Sequence, residues 1–273
     1  MGDNYQVTFY YLGWISTIAW AISSSCFVVV TLIRKSFVKG TSIAHYCLHL
    51  YAYFLYSIYS LLGYLNVGDV GDVVFVYSFD LTNSLLTMFF SGINILIYLK
   101  YRPDKTEKIA DVPFKMIYIT AIIAAALFLL HVVIWDTPDW IGPVEALGTI
   151  KVVVISYHWY YFGVTRSKKK EQPETPYNNT ANHICIVAYC FSTVGSVCLF
   201  AQMIVAAIGD GNVWEMFGNI PKLLTTLFSV GFNVFMIKIH LKMKLEYNRC
   251  AEATHLIPTE SANISSTTRI EGV

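Results

Sequence analysis

Ionisable side chains interrupt one of the chain's apolar stretches, residues 140–164, at Glu145, Lys151 and His158. Lys151 and His158 are seven residues apart, about two helical turns, so on a helix both project from the same face. Ionisable groups at membrane depth are costly and are kept mainly where they face a polar cavity or an ion path. The spacing therefore predicts that both residues line a pathway. Placement of Glu145 at the membrane surface and packing of His158 in a helix core are the alternatives.

Two further apolar stretches also carry groups that could hold a proton. Asp80 lies within residues 73–99, and a buried carboxyl group takes up a proton more readily than an exposed one. His49 lies one turn from His45, and histidine changes charge near neutral pH. The alternatives are a structural hydrogen bond for Asp80 and a surface position for the histidines. No third ligand accompanies the histidine pair, so we predict no metal site.

The composition indicates a membrane protein that crosses the bilayer several times. The 273 residues are 55% hydrophobic and only 14% charged, whereas soluble domains are about 25% charged. About 20 mostly apolar residues are needed to span the hydrocarbon layer. Seven stretches meet this length, at residues 9–33, 43–65, 73–99, 113–135, 140–164, 183–208 and 214–240. We therefore predict an all-α membrane protein with seven transmembrane helices.

Charge alternates between the predicted loops. The loops after spans one, three and five are rich in Lys and Arg, whereas the loops after spans two, four and six carry Asp and no Lys or Arg. The excess of positive charge on cytoplasmic loops then predicts a lumenal N-terminus and a cytosolic C-terminus. Seven spans divide into three, a connector and three, which makes the two halves parallel. The predicted organisation is a lumenal N-terminus (1–8), a first three-helix repeat (9–99), a cytosolic loop with the connector helix (100–135), a second three-helix repeat (140–240) and a disordered cytosolic tail (241–273).

Short matches between the two halves support this predicted repeat. Leu12-Gly13 opens span one, and Leu147-Gly148 lies early in span five. The triplet at residues 78–80, Ser-Phe-Asp, is similar to the triplet at residues 231–233, Gly-Phe-Asn. If the triplets correspond, Asp80 and Asn233 face one central cavity.

Three regions of the chain carry short motifs that are informative as a set. They are Leu12-Gly13-Trp14-Ile15 followed by Trp20, Ile150-Lys151, and the segment from Trp214 through Phe217-Gly218-Asn219 and Pro221-Lys222 to Phe232-Asn233. As a set, covering about residues 11–242, they resemble the cystinosin family, the PQ-loop transporters that export cystine from lysosomes. The resemblance is to a divergent member, because Cys26-Phe27 and Tyr161-Phe162 stand where the family has its proline–glutamine pairs.

The resemblance implies a PQ-loop fold of the SWEET type and a set of site residues. Substrate binding and gating would fall to Trp20, His49, Lys151, His158 and Asn233, and proton coupling to Asp80. Cystine carries carboxylate and ammonium groups, so Lys151 could pair with a carboxylate and Asp80 with an ammonium. The family's aspartates in spans six and seven correspond to Cys190 and Asn233, so His49 or His158 would carry the proton in their place.

We therefore expect a transporter that exports cystine or a related small amino acid to the cytosol, coupled to protons. A PQ-loop uniporter of sugars or other small solutes is an alternative, which the tyrosines of span two favour, and a non-transporting receptor or scaffold of the same fold is another. The sequence has no nucleophile elbow and no phosphate-binding glycine loop, so we expect no enzyme activity and no cofactor. The expected partners are a small zwitterionic solute, protons, the lipid bilayer and sorting adaptors, with no nucleic acid.

The C-terminal tail supplies a prediction of localisation. Glu252, Leu256 and Ile257 fit the acidic dileucine pattern Glu-x-x-x-Leu-Ile, and the predicted topology places them in the cytosol. Such motifs resemble signals that adaptors read for delivery to endosomes and lysosomes. We expect a lysosomal or vacuolar membrane, and a chance match in the tail is the alternative.

Overall fold

All regular secondary structure in the described part of the chain is α-helical. The computed structural model describes residues 3–33, 43–66, 76–101, 111–134, 141–169, 179–209 and 220–255. The helices are α1 (Asp3–Ile33), α2 (Ile43–Tyr64), α3 (Ser78–Tyr101), α4 (Asp111–Ile134), α5 (Ile141–Lys169), α6 (Asn179–Gly209) and α7 (Ile220–His255). The prediction of an all-α chain is confirmed for these residues.

The helices have the length and the surface of a membrane protein. Four of them, α1, α3, α6 and α7, are long and apolar enough to cross a bilayer, and α4 contains a shorter apolar run, Phe114–Leu127. Large apolar side chains such as Leu96, Phe89 and Tyr118 are exposed on the outside, whereas Ser, Thr and Asn side chains are buried between the helices. An apolar exterior around a polar interior suits a chain surrounded by lipid, where polar groups must find partners inside the protein.

Six helices form a closed ring. Going around it, α1 packs on α3, α3 on α2, α2 on α5, α5 on α7, α7 on α6, and α6 returns to α1. Helix α4 packs against α5 and α2. The starts of α1, α3, α5 and α7 lie at one end of the ring, called here the Asp80 end, and the late turns of α7 lie at the opposite end, called the His240 end.

Glycines allow the closest helix contacts at the Asp80 end. A Cβ atom on Gly13 of α1 would lie 2.8 Å from the Phe79 ring of α3, and one on Gly148 of α5 would lie 2.8 Å from Pro221 of α7. Small residues at helix interfaces let backbones approach closely in membrane proteins. The matching Leu-Gly pairs of the sequence therefore make matching contacts, α1 with α3 and α5 with α7.

Two helix boundaries differ from the sequence prediction, and the start of α7 is explained by a proline. Helix α3 begins at Ser78 rather than near residue 73, so Asp80 lies in its first turn and not deep within a span. Helix α7 begins at Ile220, just before Pro221, since proline fits the first turn, where its missing N–H has no helical partner to lose. The same helix continues to His255, so residues 241–255 are helical rather than part of a disordered tail.

Candidate functional site

A cavity of about 170 Å³ lies inside the ring of six helices. Its walls include the five residues that the sequence predicted for substrate binding and gating, which are Trp20, His49, Lys151, His158 and Asn233. They come from α1, α2, α5 and α7, so the ring brings together side chains that are more than 200 residues apart in the chain. The cavity is the candidate binding site.

Lys151 is the more deeply buried of the two lysines on the described cavity wall, with 1% of its surface exposed. Its Nζ donates a hydrogen bond to the Thr225 hydroxyl at 2.7 Å and lies 4.0 Å from the centre of the Tyr56 ring. The Tyr53 ring is the next aromatic contact, with its centre 5.8 Å from the same nitrogen. Among the described residues, no carboxylate forms an ion pair with Lys151. Its amino group is therefore held by a hydroxyl and by ring faces rather than by an acid.

Two histidines from different helices meet beside it. The rings of His49 on α2 and His158 on α5 have centres 5.0 Å apart and are tilted by 53°. Nδ1 of His49 is hydrogen-bonded to the Ser91 hydroxyl at 2.7 Å, and that hydroxyl donates to the Thr87 carbonyl, so the His49 nitrogen can donate to Ser91. Within the described residues, no three His, Cys, Asp or Glu side chains are grouped to hold a metal ion.

Asn233 and Trp20 fix the wall opposite the histidines through α6. Nδ2 of Asn233 donates to the Ser192 hydroxyl at 2.8 Å and to the Ser229 hydroxyl at 3.3 Å. The Trp20 indole N–H donates to the Ser192 carbonyl at 3.2 Å. A Cβ atom on Gly195 would lie only 2.9 Å from the Trp20 indole. Glycine at this position therefore leaves the space that the indole fills.

Asp80 does not line the cavity but pairs with Lys222, which does. Both of its carboxylate oxygens lie 2.9 Å from Nζ of Lys222, and the two side chains are 6% and 5% exposed. The backbone N–H of Tyr77 also donates to Asp80 at 3.2 Å, as in the capping of a helix start. The expected positions are therefore corrected: Asp80 lies at the end of the bundle, and Lys222, which lines the cavity, is its partner.

Aromatic rings pack around this ion pair at the Asp80 end. Phe9 of α1 packs against Phe79 and Tyr77, with ring centres 5.7 and 4.6 Å away. Nζ of Lys222 lies 5.6 Å from the centre of the Phe79 ring and 5.9 Å from that of Tyr77. Sequence analysis missed Lys222 as a site residue, although its motif with Pro221 was visible.

A second polar contact outside the predicted set joins α6 and α7 at the His240 end. The Asn182 amide donates to the His240 carbonyl at 3.2 Å, and its oxygen is hydrogen-bonded to Nδ1 of the same histidine. Both side chains are buried, and His240 lines the cavity beside Tyr189. The cavity walls thus extend from Lys222 to His240 along α7. No short-range pattern in the sequence indicated the contact, because Asn182 and His240 lie 58 residues apart.

Several remaining predictions concern residues away from the cavity. Glu145 is exposed, in line with a position at the surface. Cys190, which the resemblance aligned with an acid, is also exposed, whereas its neighbour Tyr189 faces the cavity. The sorting motif falls largely outside the described residues, which end at residue 255 and so exclude Leu256 and Ile257.

Comparison with known proteins adds no family assignment. No protein-family model matches the sequence, and no curated protein is significantly similar to it. The chemistry of the cavity therefore carries the functional conclusion.

Proposed function

We propose that the protein is a transporter of the cystinosin type, which moves a small carboxylate-bearing solute across an internal membrane. The single observation that carries this proposal is Lys151, a buried cation on a cavity wall without an acid partner among the described residues. A buried charge is expected to be paired. A ligand carboxylate that enters the cavity would supply the missing partner for Lys151.

The proposed architecture is two parallel three-helix halves joined by α4. The order of contacts supports it, since α1–α3–α2 in the first half matches α5–α7–α6 in the second. The equivalent contacts of Gly13 with Phe79 and of Gly148 with Pro221 support it further. Under this correspondence Asp80, which follows Phe79, would be equivalent to Lys222, which follows Pro221, and not to Asn233 as the sequence triplets suggested.

The proposed orientation follows from the distribution of basic loops, which favours a lumenal N-terminus. The Asp80 end then faces the lumen and the His240 end faces the cytosol. Release of the solute to the cytosol requires the Asn182–His240 contact to open while the Asp80–Lys222 contact stays closed. Entry from the lumen requires the reverse. These two contacts are the proposed gates of an alternating-access cycle.

Proton coupling is the proposed driving force. Protonation of Asp80 would remove its negative charge and weaken its attraction to Lys222, which would favour opening towards an acidic lumen. The His49–His158 pair is the alternative proton carrier, because it lies on the cavity wall beside Lys151. Cystine and related small amino acids are the substrates that the resemblance implies.

A uniporter of sugars is the second candidate, favoured by a specific feature of the cavity. Hydroxyl and amide groups are frequent on its walls, including Ser23, Ser24, Asn83, Thr87 and Asn94. Such groups can both donate hydrogen bonds to sugar hydroxyls and accept hydrogen bonds from them. A buried unpaired Lys151 favours the carboxylate candidate, since a neutral sugar leaves its charge without a partner.

The test is uptake of radiolabelled substrates into proteoliposomes that contain the purified protein. We expect uptake of cystine or another small carboxylate, stimulated by an acidic outside, and loss of that uptake in Lys151→Met. Lys238→Met, at an exposed lysine of α7, is the matched control. Uptake of glucose but of no carboxylate, unchanged in Lys151→Met, would refute the carboxylate candidate and support the sugar candidate.

The proposed location is a lysosomal or vacuolar membrane, through the motif of Glu252, Leu256 and Ile257. Replacement of Leu256 and Ile257 by alanine is expected to move the protein to the cell surface. Surface biotinylation measures the shift, and alanine replacement of the nearby Thr259 and Glu260 is the control. An unchanged distribution between lysosomes and the surface would exclude the motif as the sorting signal.

A further inference from the structure

The described walls of the cavity carry cations but no acid. Lys151 and Lys222 are the two lysines of the wall, and His49, His158 and His240 are its histidines. None of the described lining residues is Asp or Glu. A zwitterionic ligand such as an amino acid brings an ammonium group as well as a carboxylate. The wall therefore offers a charged partner to only one of these two groups.

The nearest acid is already engaged. Asp80 uses both oxygens for Lys222, and one of them also accepts from the Tyr77 N–H. A ligand ammonium that competed for Asp80 would have to displace the Lys222 ammonium from both carboxylate oxygens. The exchange would replace one buried ion pair by another. Asp80 is thus unsuited to balance the charge of a ligand while Lys222 remains in place.

Neutral groups compensate the charge of an ammonium only in part, although other aromatic rings on the wall, such as Trp20 and Trp159, can attract a cation. The Tyr56 ring face, which could attract an ammonium, is already occupied by Lys151 at 4.0 Å. Oδ1 of Asn94, a buried wall residue, accepts no hydrogen bond from the described residues and is an open acceptor. An amide oxygen can accept one hydrogen bond from an ammonium or a hydroxyl but does not neutralise a full charge. A second cation placed near Lys151 would also be repelled by it.

We propose that the cavity selects a small organic anion that has a carboxylate and no amino group. Its carboxylate would pair with Lys151 on the cavity wall. Its apolar body would lie among the aromatic side chains that line the same cavity, Trp20, Phe27, Trp159, Phe162 and Phe232. This inference rests on the proposed function and narrows its substrate class from small carboxylate-bearing solutes to those without an amino group.

The test is equilibrium binding to the purified full chain in detergent, measured by calorimetry with matched probes. Dithiodipropionate is cystine without its amino groups, and cystamine is cystine without its carboxylates. Phenylpropionate and phenylalanine form a second pair that differs only in the amino group. We expect each amino-free acid to bind at least about tenfold more tightly than its amino acid, and cystamine not to bind.

Two variants connect the result to the cavity. Lys151→Met should abolish binding of dithiodipropionate and phenylpropionate, whereas Lys238→Met should leave it unchanged, with elution as a single species in size-exclusion chromatography as the check of folding. Asn94→Leu should leave the preference for the amino-free acids in place. The proposal would be overturned if the unchanged protein bound cystine at least as tightly as dithiodipropionate and Asn94→Leu lost this cystine binding.

The outcomes separate the two levels of inference. Cystine or phenylalanine could bind as tightly as its amino-free analogue and depend on Lys151. This result would overturn the selection for amino-free acids but would still support a carboxylate transporter. Binding of no carboxylate probe by the folded protein would overturn both. Binding of the acids that persists unchanged in Lys151→Met would also overturn both, because the ligand would then lie elsewhere.

Discussion

The ion pair between Asp80 and Lys222 allows a sharp test of how the Asp80 end is held closed. Asp80→Asn keeps an oxygen that can accept from the Tyr77 N–H but removes the negative charge next to Lys222. Lys222→Met keeps an unbranched chain of similar length and leaves Asp80 without its cation. Because the two side chains are 6% and 5% exposed, water compensates neither loss.

The expected cost follows from this burial. Removal of one partner of a buried ion pair destabilises a protein by about 3–5 kcal/mol, because the other charge stays buried and unpaired. At about 2 °C per kcal/mol, the scale for the larger domains, each single variant should melt roughly 6–10 °C below the unchanged protein. The double variant Asp80→Asn/Lys222→Met buries no unpaired charge, so it should recover to within about 1 kcal/mol, or about 2 °C.

The assay is thermal melting of the purified proteins in one detergent, followed by intrinsic fluorescence. Lys238→Met, which removes an exposed lysine from the same helix, is the control and should melt like the unchanged protein. The coupling between the two sites is the difference between the loss of melting temperature in the double variant and the sum of the losses in the two single variants. Single variants that melt like the control, or a double variant that melts at the sum of their losses, would refute a buried, coupled pair.

Sequence periodicity was sufficient for the parts of the fold that depend on single helices. It gave the all-α membrane character, and it put Lys151 and His158 on one helix face, where the structure has both on the cavity wall. It could not give the Asp80–Lys222 contact, because the partners are 142 residues apart and no local pattern encodes which helix packs on which.

Helix ends were the other source of error, for two physical reasons. The apolar residues before Ser78 lengthened the predicted span, yet the Asp80 carboxylate accepts from the Tyr77 N–H and fixes the helix start there. Beyond His240 the chain becomes polar, which indicated a tail. Its residues up to His255 are nonetheless mostly good helix formers, such as Leu, Met, Lys and Glu, and α7 continues through them.

Two further substitutions test the interior packing. Gly195→Ala should shift the fluorescence of Trp20 and lower transport, because its Cβ would lie 2.9 Å from the indole, whereas Gly92→Ala, with no atom within 4 Å of the new Cβ, should do neither. Gln202→Leu should raise the melting temperature, because both polar atoms of this fully buried side chain lack a partner among the described residues and such a group costs about 1–3 kcal/mol. A lower melting temperature for Gln202→Leu would contradict that assignment.

The absence of acids among the described cavity residues and the proposed preference for organic anions both concern the charge balance of the cavity. The resemblance implies aspartates where this chain has Cys190 and Asn233. Cys190 is exposed on the outside of α6, and Asn233 is committed to Ser192 and Ser229 as a neutral donor. A ligand ammonium would bind better with an acid on the wall, because a buried cation without a counter-charge is costly. Introducing one by Asn233→Asp should therefore shift the preference from dithiodipropionate towards cystine in the same binding assay. A preference that does not change would show that charge balance at this wall does not set the ligand class.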